Sequence, residues 1–166
     1  GNLGGRSGAD AKCLSHLDNE TVVLVNNSCS AVRAVISMSA SDEIRDMATN
    51  YSIPTNKKIR GMNGQLFTSS WDNMTQMLVD TYQVDYSLIR VAPELNASLS
   101  SSIKYYWTGT YSDGSYDSSG RTCSNWTSNS SSSTGFMGTG DRVDRNLISH
   151  NTLTCNTKNR LLCICY

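Results

Sequence analysis

Arg160-Leu-Leu-Cys163-Ile-Cys165-Tyr166, the closing stretch of the chain, decides the fold. Its aliphatic and aromatic residues predict a β-strand. Cys163 and Cys165 stand two positions apart, so on a strand their side chains project from the same face of the sheet. Both cysteines can therefore reach a single layer of structure that packs on that face.

The opening of the chain predicts a helix that suits this layer. Ala9, Cys13 and Leu17 recur every four residues, which is helical spacing, and Ser7 is the expected N-cap of a helix over Ala9–Leu17. Cys13 is thereby predicted to lie on the buried face of the first helix.

The elements between these two ends are short. We expect strands over Thr21–Val25, Ala31–Met38, Tyr86–Val91 and Lys104–Tyr111. One helix is expected to begin at Ser41 and stop before Pro54, and another to begin at Ser70 and stop after Leu78. Ser/Gly-rich loops are expected over Ser112–Gly120 and Ser124–Gly140. Helices and short strands followed by strands joined through long loops indicate one α+β domain over residues 1–166.

The composition excludes several classes of protein. The chain has 166 residues with 14 basic and 14 acidic side chains, so no net field is present to hold a nucleic acid. No apolar run approaches the roughly 18 residues of a membrane helix, and we expect a soluble chain. An opening at Gly1 without Met fits a mature chain or an excised domain whose targeting sequence is missing.

The cysteines and the uncharged polar residues point to an oxidising compartment. Ser, Thr and Asn make up 56 of the 166 residues, a balance typical of secreted or cell-surface proteins. An even set of six cysteines favours three disulfides, for which 15 pairings are open. No zinc site is predicted, because Cys163 and Cys165 are too close for a ligand pair and His16 and His150 belong to no pair.

The sequence contains seven Asn-x-Ser/Thr triplets, which are acceptors for N-linked glycans. An extracellular glycoprotein is the expected reading, although an unmodified bacterial surface protein with Asn-rich loops has the same pattern. The triplets begin at Asn19, Asn26, Asn50, Asn73, Asn96, Asn125 and Asn129.

A series of short motifs resembles a known family in order and rough spacing. The series is Gly5-Arg-Ser-Gly-Ala-Asp-Ala-Lys-Cys13, Val32-Arg-Ala-Val35, Ile53-Pro54, Gln65-Leu-Phe-Thr-Ser-Ser-Trp71, Tyr106-Trp-Thr-Gly109, Cys123-x-x-Trp126, Thr134-Gly135 and Cys155-x7-Cys163-Ile164. It resembles endostatin, the C-terminal domain of collagens fifteen and eighteen, and the opening is also similar to endostatin-like outer-membrane lipoproteins of spirochaetes.

The resemblance implies a C-type-lectin-like fold with nested disulfides. The first cysteine of that pattern pairs with the last and the middle two pair together, which here gives Cys13–Cys163 and Cys123–Cys155. Cys29 and Cys165 are additions to the family pattern, and we expect them to pair with each other.

The metal sites of related proteins are not carried over. Endostatins bind zinc through a His-rich N-terminal segment that this sequence does not contain. The Glu-Pro-Asn, Gln-Pro-Asp and Trp-Asn-Asp motifs of calcium-dependent lectins are missing too, and Trp71-Asp-Asn73 lies far upstream of their usual place. Asp113, Asp117, Asp141 and Asp144 lie in Gly-rich loops without an EF-hand-like series. We therefore predict neither a metal nor another cofactor.

No catalytic residues are predicted either, because neither histidine belongs to a recognisable triad.

Endostatins bind heparan sulfate through arginines on a basic surface, whereas this chain is neutral and has Ser7 where an arginine is expected. Two interpretations of the arginines remain open, namely a local anion site and scattered solvated side chains. Two interpretations of the aromatic residues also remain open, namely a contact surface and a Trp126 that only fills a loop. The ligand-surface candidates are Arg6, Arg33, Arg121, Arg142, Arg145, Tyr111, Tyr116 and Trp126.

These observations lead to one functional expectation. The chain is predicted to be a non-enzymatic extracellular binding module that contacts matrix proteins, cell-surface receptors or sulfated glycans through a rigid, disulfide-linked surface. The alternatives are a self-assembling subunit of a collagen-like or fibrous structure, which would be a homo-oligomer, and a bacterial surface adhesin.

Overall fold

The computed structural model describes residues 1–19, 29–60, 66–74, 105–140 and 145–166. It is a mixed structure of helices and sheets with three disulfides, so the α+β prediction is confirmed. The predicted strands Thr21–Val25 and Tyr86–Val91 lie outside the described residues. None of the described helices is long and apolar enough to cross a membrane.

The elements follow one another in a mixed order. The helices are α1 (Gly5–Asn19) and α2 (Met47–Tyr51), with 3₁₀ helices at Ile44–Asp46 and Arg145–Leu147 and a further helical stretch at residues 71–74. The strands are β1 (Val32–Ala34), β2 (Ile59–Arg60), β3 (Leu66–Thr68), β4 (Tyr105–Trp107), β5 (Thr134–Thr139), β6 (Asn151–Thr154), β7 (Arg160–Leu161) and β8 (Cys163–Cys165).

The helix α1 begins earlier than the sequence predicted. Ser7 lies within the helix and is not its N-cap. The entry is set instead by Leu3 and Gly4, whose backbone N–H groups donate to the carbonyl of Trp126 at 2.8 and 3.1 Å. The side chain of Asn2 also accepts from the Gly4 N–H at 3.2 Å. A tertiary contact therefore positions the first turn, which sequence alone did not reveal.

The two predicted serine caps have different outcomes. Ser70 caps the stretch at 71–74, since its hydroxyl accepts from the Asn73 N–H at 3.1 Å, and the predicted end at Leu78 lies outside the described residues. Ser41 caps nothing, because it lies in a turn closed by a bridge between Ser39 and Asp42. The helical region therefore begins only at Ile44, and α2 ends before Pro54 as expected.

The closing stretch serves two sheets. The strand β7 pairs parallel to β4 at one edge of a four-stranded sheet of order β6-β5-β4-β7, whose other pairs are antiparallel. After Leu162, β8 pairs antiparallel with β1, with Ala34 opposite Cys163 and Val32 opposite Cys165. The single strand predicted over residues 160–166 is thus divided between both sheets. A separate hairpin joins β2 and β3.

The strand β4 separates two apolar cores. Trp107 lies in one core with Ala9 and Cys13 of α1, and Tyr106 lies in the other with Ile44 and Met47. Tyr106 and Trp107 are only 2% and 1% exposed, so both faces of β4 are covered. The strand is therefore the centre of the packing, as its aromatic sequence suggests.

The three disulfides are the expected pairs. Cys13 is bonded to Cys163, Cys29 to Cys165, and Cys123 to Cys155, across 150, 136 and 32 residues. Closing such loops restricts the unfolded chain and typically stabilises a domain by about 2–5 kcal/mol per bridge.

The segment 124–140 is not the open loop that its Ser/Gly content predicted. It contains β5, where Gly135 and Gly138 face crowded surroundings. A Cβ on Gly135 would lie 2.8 Å from Sγ of Cys123 and 3.1 Å from the rings of Trp107 and Trp126. The glycines that suggested a loop are therefore required where the core approaches the strand backbone.

Replacing Gly135 tests this packing. Gly135→Ala is expected to lower the free energy of unfolding by about 1–3 kcal/mol, because the added methyl group has no room between the tryptophans and the disulfide. Thr134→Ala, on the same strand but half-buried, is the matched control. Urea unfolding of the oxidised proteins measures both, and equal stability of the two variants would contradict the packing argument.

The disulfides are also expected to open in a defined order. Cys123 and Cys155 are fully buried, whereas Cys29 and Cys165 are both partly exposed. Because a thiolate must reach a sulfur atom to reduce it, Cys29–Cys165 should open first under mild reduction. Alkylation followed by peptide mass mapping measures the order, and early loss of Cys123–Cys155 would be the contrary result.

Candidate functional site

The Ser112–Gly120 loop is closed by hydrogen bonds to the residues that follow β4, since the Asp117 N–H donates to the carbonyl of Gly109 at 3.2 Å. The Tyr111 N–H donates to the carbonyl of Ser115 at 2.9 Å, and the Gly114 N–H donates back to the carbonyl of Tyr111 at 3.0 Å. Gly114 has a φ of +80°, a conformation that suits glycine, and packs beside Arg45. The loop therefore holds its side chains in fixed positions.

We call five half-buried or exposed side chains of this region the aromatic loop surface, and they make two groups of contacts. Its members are Tyr111, Tyr116, Arg121, Asn125 and Phe136. The Arg121 guanidinium lies over the Phe136 ring at 4.3 Å and over the Tyr111 ring at 5.7 Å, while those two rings meet edge to face at 5.8 Å. The Tyr116 hydroxyl donates to Oδ1 of Asn125 at 2.9 Å. The structure thus brings two of the predicted ligand-surface residues, Tyr111 and Arg121, into contact, and it places Tyr116 on the same loop in a separate contact with Asn125.

A buried carboxylate fixes the arginine of this surface. Asp117 is fully buried and accepts from Nε of Arg121 at 2.7 Å and from the Ser119 hydroxyl at 2.6 Å. Burial alone would raise the pKa of Asp117, but hydrogen bonds from Arg121, Ser119 and Tyr111 outweigh it and lower the pKa to about 2. Asp117 is therefore ionised at neutral pH, where it holds Arg121 in place.

A second buried carboxylate fixes the loop backbone. Glu43 is 5% exposed, and its Oε1 accepts from the Tyr116 N–H at 2.9 Å. Its Oε2 accepts from Nε of Arg45 at 2.5 Å. Because Glu43 immediately precedes the 3₁₀ helix, the loop is anchored to the first half of the chain.

The turn that carries Asn125 has an unusual backbone. Cys123, Ser124, Asn125 and Trp126 have φ values between +51° and +63°, which makes one left-handed helical turn without glycine. Such a conformation costs about 1–2 kcal/mol for each residue. The disulfide of Cys123 and the burial of Trp126 hold the turn from both ends. Strain of this kind is common at functional sites, and it lies directly beside Tyr116.

Trp126 corrects the prediction of a contact residue, because its side chain is completely buried. Its Nε1 donates to the carbonyl of Ser37 at 2.8 Å, and its ring lies 5.5 Å from that of Trp107. The motif Cys123-x-x-Trp126 thus supplies a core residue that seals the loop, which is the alternative that the sequence left open.

The predicted arginines do not form one anion site. Arg6 and Arg33 lie over the ring of Tyr51 at 5.1 and 5.0 Å. Arg121 instead contacts Tyr111, Phe136 and Asp117. Arg145 is exposed and Arg142 lies outside the described residues. Acidic partners explain the separation, since Arg6 pairs with Asp42, Arg33 with Asp10 and Arg121 with Asp117.

This geometry can be set beside known proteins. Residues 1–143 of the chain match the sequence profile of the family DUF1554, whose description is "protein of unknown function". This chain belongs to the DUF1554 family. No curated protein matches it. The match includes the whole aromatic loop surface, whereas Cys155, Cys163 and Cys165 lie beyond it.

The predicted glycan acceptors fall at different places in this DUF1554 protein. Asn19 is the last residue of α1, and Asn26 and Asn96 lie outside the described residues. The remaining four are exposed, namely Asn50, Asn73, Asn125 and Asn129. Oδ1 of Asn125 accepts from the Tyr116 hydroxyl, so a glycan there would modify the aromatic loop surface itself.

The histidines and the loop aspartates have structural partners. His150 is exposed and stacks on Tyr105 with ring centroids 5.7 Å apart, while His16 lies in α1. Asp113 accepts from the backbone and the hydroxyl of Ser115 at 3.0 and 2.5 Å. Asp141 and Asp144 lie outside the described residues.

The low pKa of Asp117 predicts a specific dependence of stability on pH. A carboxylate whose pKa falls from 3.8 to about 2 on folding adds about 2 kcal/mol of stability above pH 3.8, and this stability is lost as the pH falls through 2. The stability advantage of the wild type over Asp117→Asn should therefore shrink as the pH falls over that range.

Urea unfolding of oxidised protein at a series of acidic pH values measures this effect. Asp113→Asn is the matched control, because that carboxylate is 47% exposed and should show a weaker dependence. A difference between wild type and Asp117→Asn that stays constant with pH would contradict the assignment.

Proposed function

We propose that this DUF1554 protein is a non-enzymatic extracellular binding module with an endostatin-like variant of the C-type-lectin-like fold. The proposal is supported by three disulfides, which persist in oxidising compartments. It is also supported by their nesting, since Cys13–Cys163 encloses Cys123–Cys155 as the resemblance implies.

The aromatic loop surface is the proposed binding surface. The observation that carries this assignment is that Tyr111, Tyr116 and Arg121 are partly exposed and yet held by named partners. Tyrosine and arginine are enriched among the residues that dominate protein interfaces. Because Asp117 and Asn125 already restrict these side chains, little conformational entropy is lost when a partner docks.

A protein partner fits this surface better than a sulfated glycan. Polyanions are held by arginines whose charge is available, whereas the charge of Arg121 is offset by Asp117. Rigid rings with a central guanidinium suit a partner that offers apolar area and a few hydrogen bonds. The partner proposed is therefore a matrix protein or a cell-surface receptor.

Binding to immobilised purified matrix proteins and receptor ectodomains tests the proposal. We expect saturable binding to a member of this panel, weakened at least about tenfold by Tyr111→Ala and by Tyr116→Ala, which corresponds to about 1.4 kcal/mol. Arg145→Ala and Lys158→Ala, both at exposed positions, are the controls that should bind like the wild type. Circular dichroism and intact mass verify that each variant is folded and fully oxidised.

Two other results would redirect the assignment. Retention on a heparin column at physiological salt, unaffected by the tyrosine variants, would favour a sulfated glycan as the ligand. Concentration-dependent growth of the particles in light scattering, again unaffected by those variants, would favour a self-assembling subunit. Binding to the panel that both tyrosine variants retain would remove the aromatic loop surface from the proposal.

A further inference from the structure

The bond between Cys29 and Cys165 differs from the other two bridges in its surroundings. Cys123 and Cys155 are fully buried, and Cys13 is 1% exposed in the same apolar core. Cys29 and Cys165 are each half-buried, and neither belongs to an apolar core or packs against one in the part of the chain that the structure describes. A reagent from solution can therefore approach this bridge without opening either core.

Backbone hydrogen bonds hold these two cysteines beside each other independently of their sulfur atoms. The carbonyl of Tyr166 accepts from the N–H groups of Ser30 and Ala31 at 2.8 and 3.0 Å, and from the Ser30 hydroxyl at 2.6 Å. The Ala31 carbonyl accepts in return from the Tyr166 N–H at 3.1 Å. Because these residues follow Cys29 and Cys165 directly in the chain, the two cysteines are expected to stay neighbours when the bridge is open.

The strand on the other side of Cys165 has supports of its own. The Val35 N–H donates to the carbonyl of Leu162 at 2.8 Å, next to the end of the β1–β8 pairing. The bond between Cys13 and Cys163 also joins α1 to β8. Opening the Cys29–Cys165 bridge therefore removes one cross-link and leaves the strand pairing and the neighbouring bridge in place. A bond that opens without global unfolding can close again on the same partner.

We propose that the Cys29–Cys165 bridge is a site of thiol–disulfide exchange whose substrate is a thiol. The sulfur attacked first is Sγ of Cys29, because Cys29 lies in irregular backbone before β1 and can adjust to a new bond, whereas Cys165 is fixed within β8. The thiol belongs either to a small molecule such as glutathione or to a cysteine side chain of a polypeptide. This site shares no residue with the aromatic loop surface and does not depend on the function proposed above.

The exchange takes place in two balanced steps. A substrate thiolate attacks Sγ of Cys29, a bond forms between the two sulfur atoms, and Cys165 leaves with the electron pair of the broken bond as a thiolate. A second substrate thiolate then attacks the substrate sulfur of this mixed disulfide and releases Cys29 as a thiolate. Each substrate thiol gives up one proton and each cysteine takes one up. Two thiols are thus oxidised to one disulfide, and the cysteine pair is reduced by two electrons.

Incubation of the oxidised protein with reduced glutathione under native conditions tests the accessibility of the bridge. Alkylation and peptide mass mapping should find Cys29 and Cys165 released at least about tenfold faster than Cys123 and Cys155, which are the internal control. The amide spectrum recorded by nuclear magnetic resonance should stay dispersed while this bridge is open. Oxidised glutathione should then restore the same pair.

Two single variants test which sulfur is attacked. Cys165→Ser leaves Cys29 as a thiol and Cys29→Ser leaves Cys165 as a thiol, so the two variants are matched controls for each other. Oxidised glutathione is expected to form a mixed disulfide on Cys29 at least about tenfold faster than on Cys165. Dispersed amide spectra with the other two bridges intact show that the variants are folded.

The remaining arms separate the sources of the thiol. A short peptide with one cysteine that opens the bridge at least about tenfold faster than glutathione at equal thiolate concentration assigns the site to polypeptides, and an equal rate assigns it to small thiols. Release of Cys29 and Cys165 no faster than of the buried pair, loss of amide dispersion on opening, unfolding of both single variants, or faster labelling of Cys165 than of Cys29 would each overturn the proposal.

Discussion

The bond between Cys13 in α1 and Cys163 in β8 is the constraint on which the rest of this structure depends. It holds the first helix against the sheet formed by β1 and β8, where Asp10 of the helix also accepts from the backbone of Ala34. Because β7 leads directly into β8, the same bond fixes the edge of the four-stranded sheet. The bond lies in one apolar core, and the neighbours of Cys163 in the chain, Leu162 and Ile164, pack against the other.

The electrostatics of the molecule follow from that close packing. Arg6, Arg33 and Arg121 each pair with a nearby carboxylate. Asp10 and Asp117 are buried, and each holds an arginine that is also in contact with an aromatic ring. The arginines thus act first as structural residues. Among the described residues, Arg6 donates four hydrogen bonds and Arg33 donates one.

The sequence predicted the features that depend on spacing. Helical spacing placed Cys13 on the buried face of α1, the family resemblance implied two of the disulfides, and the serine cap at Ser70 was found where hydroxyl chemistry suggested it. The features that depend on tertiary contacts were missed. Nothing in Ser124 or Asn125 indicates four consecutive left-handed residues, because the disulfide and the buried Trp126 impose that conformation. The glycines of β5 suggested a loop for the same reason, because the need for glycine at Gly135 and Gly138 becomes visible only in the packed core.

The two bridges on β8 have a mechanical consequence. Tension that enters the chain before residue 13 and leaves after residue 163 passes through one sulfur–sulfur bond, so neither core carries the load. The 149 residues between Cys13 and Cys163 would extend to about 500 Å if they were released. Opening that single bond releases only the segment up to Cys29, because the bond between Cys29 and Cys165 then takes the load. Most of the chain is therefore released only when both of these bonds have been broken.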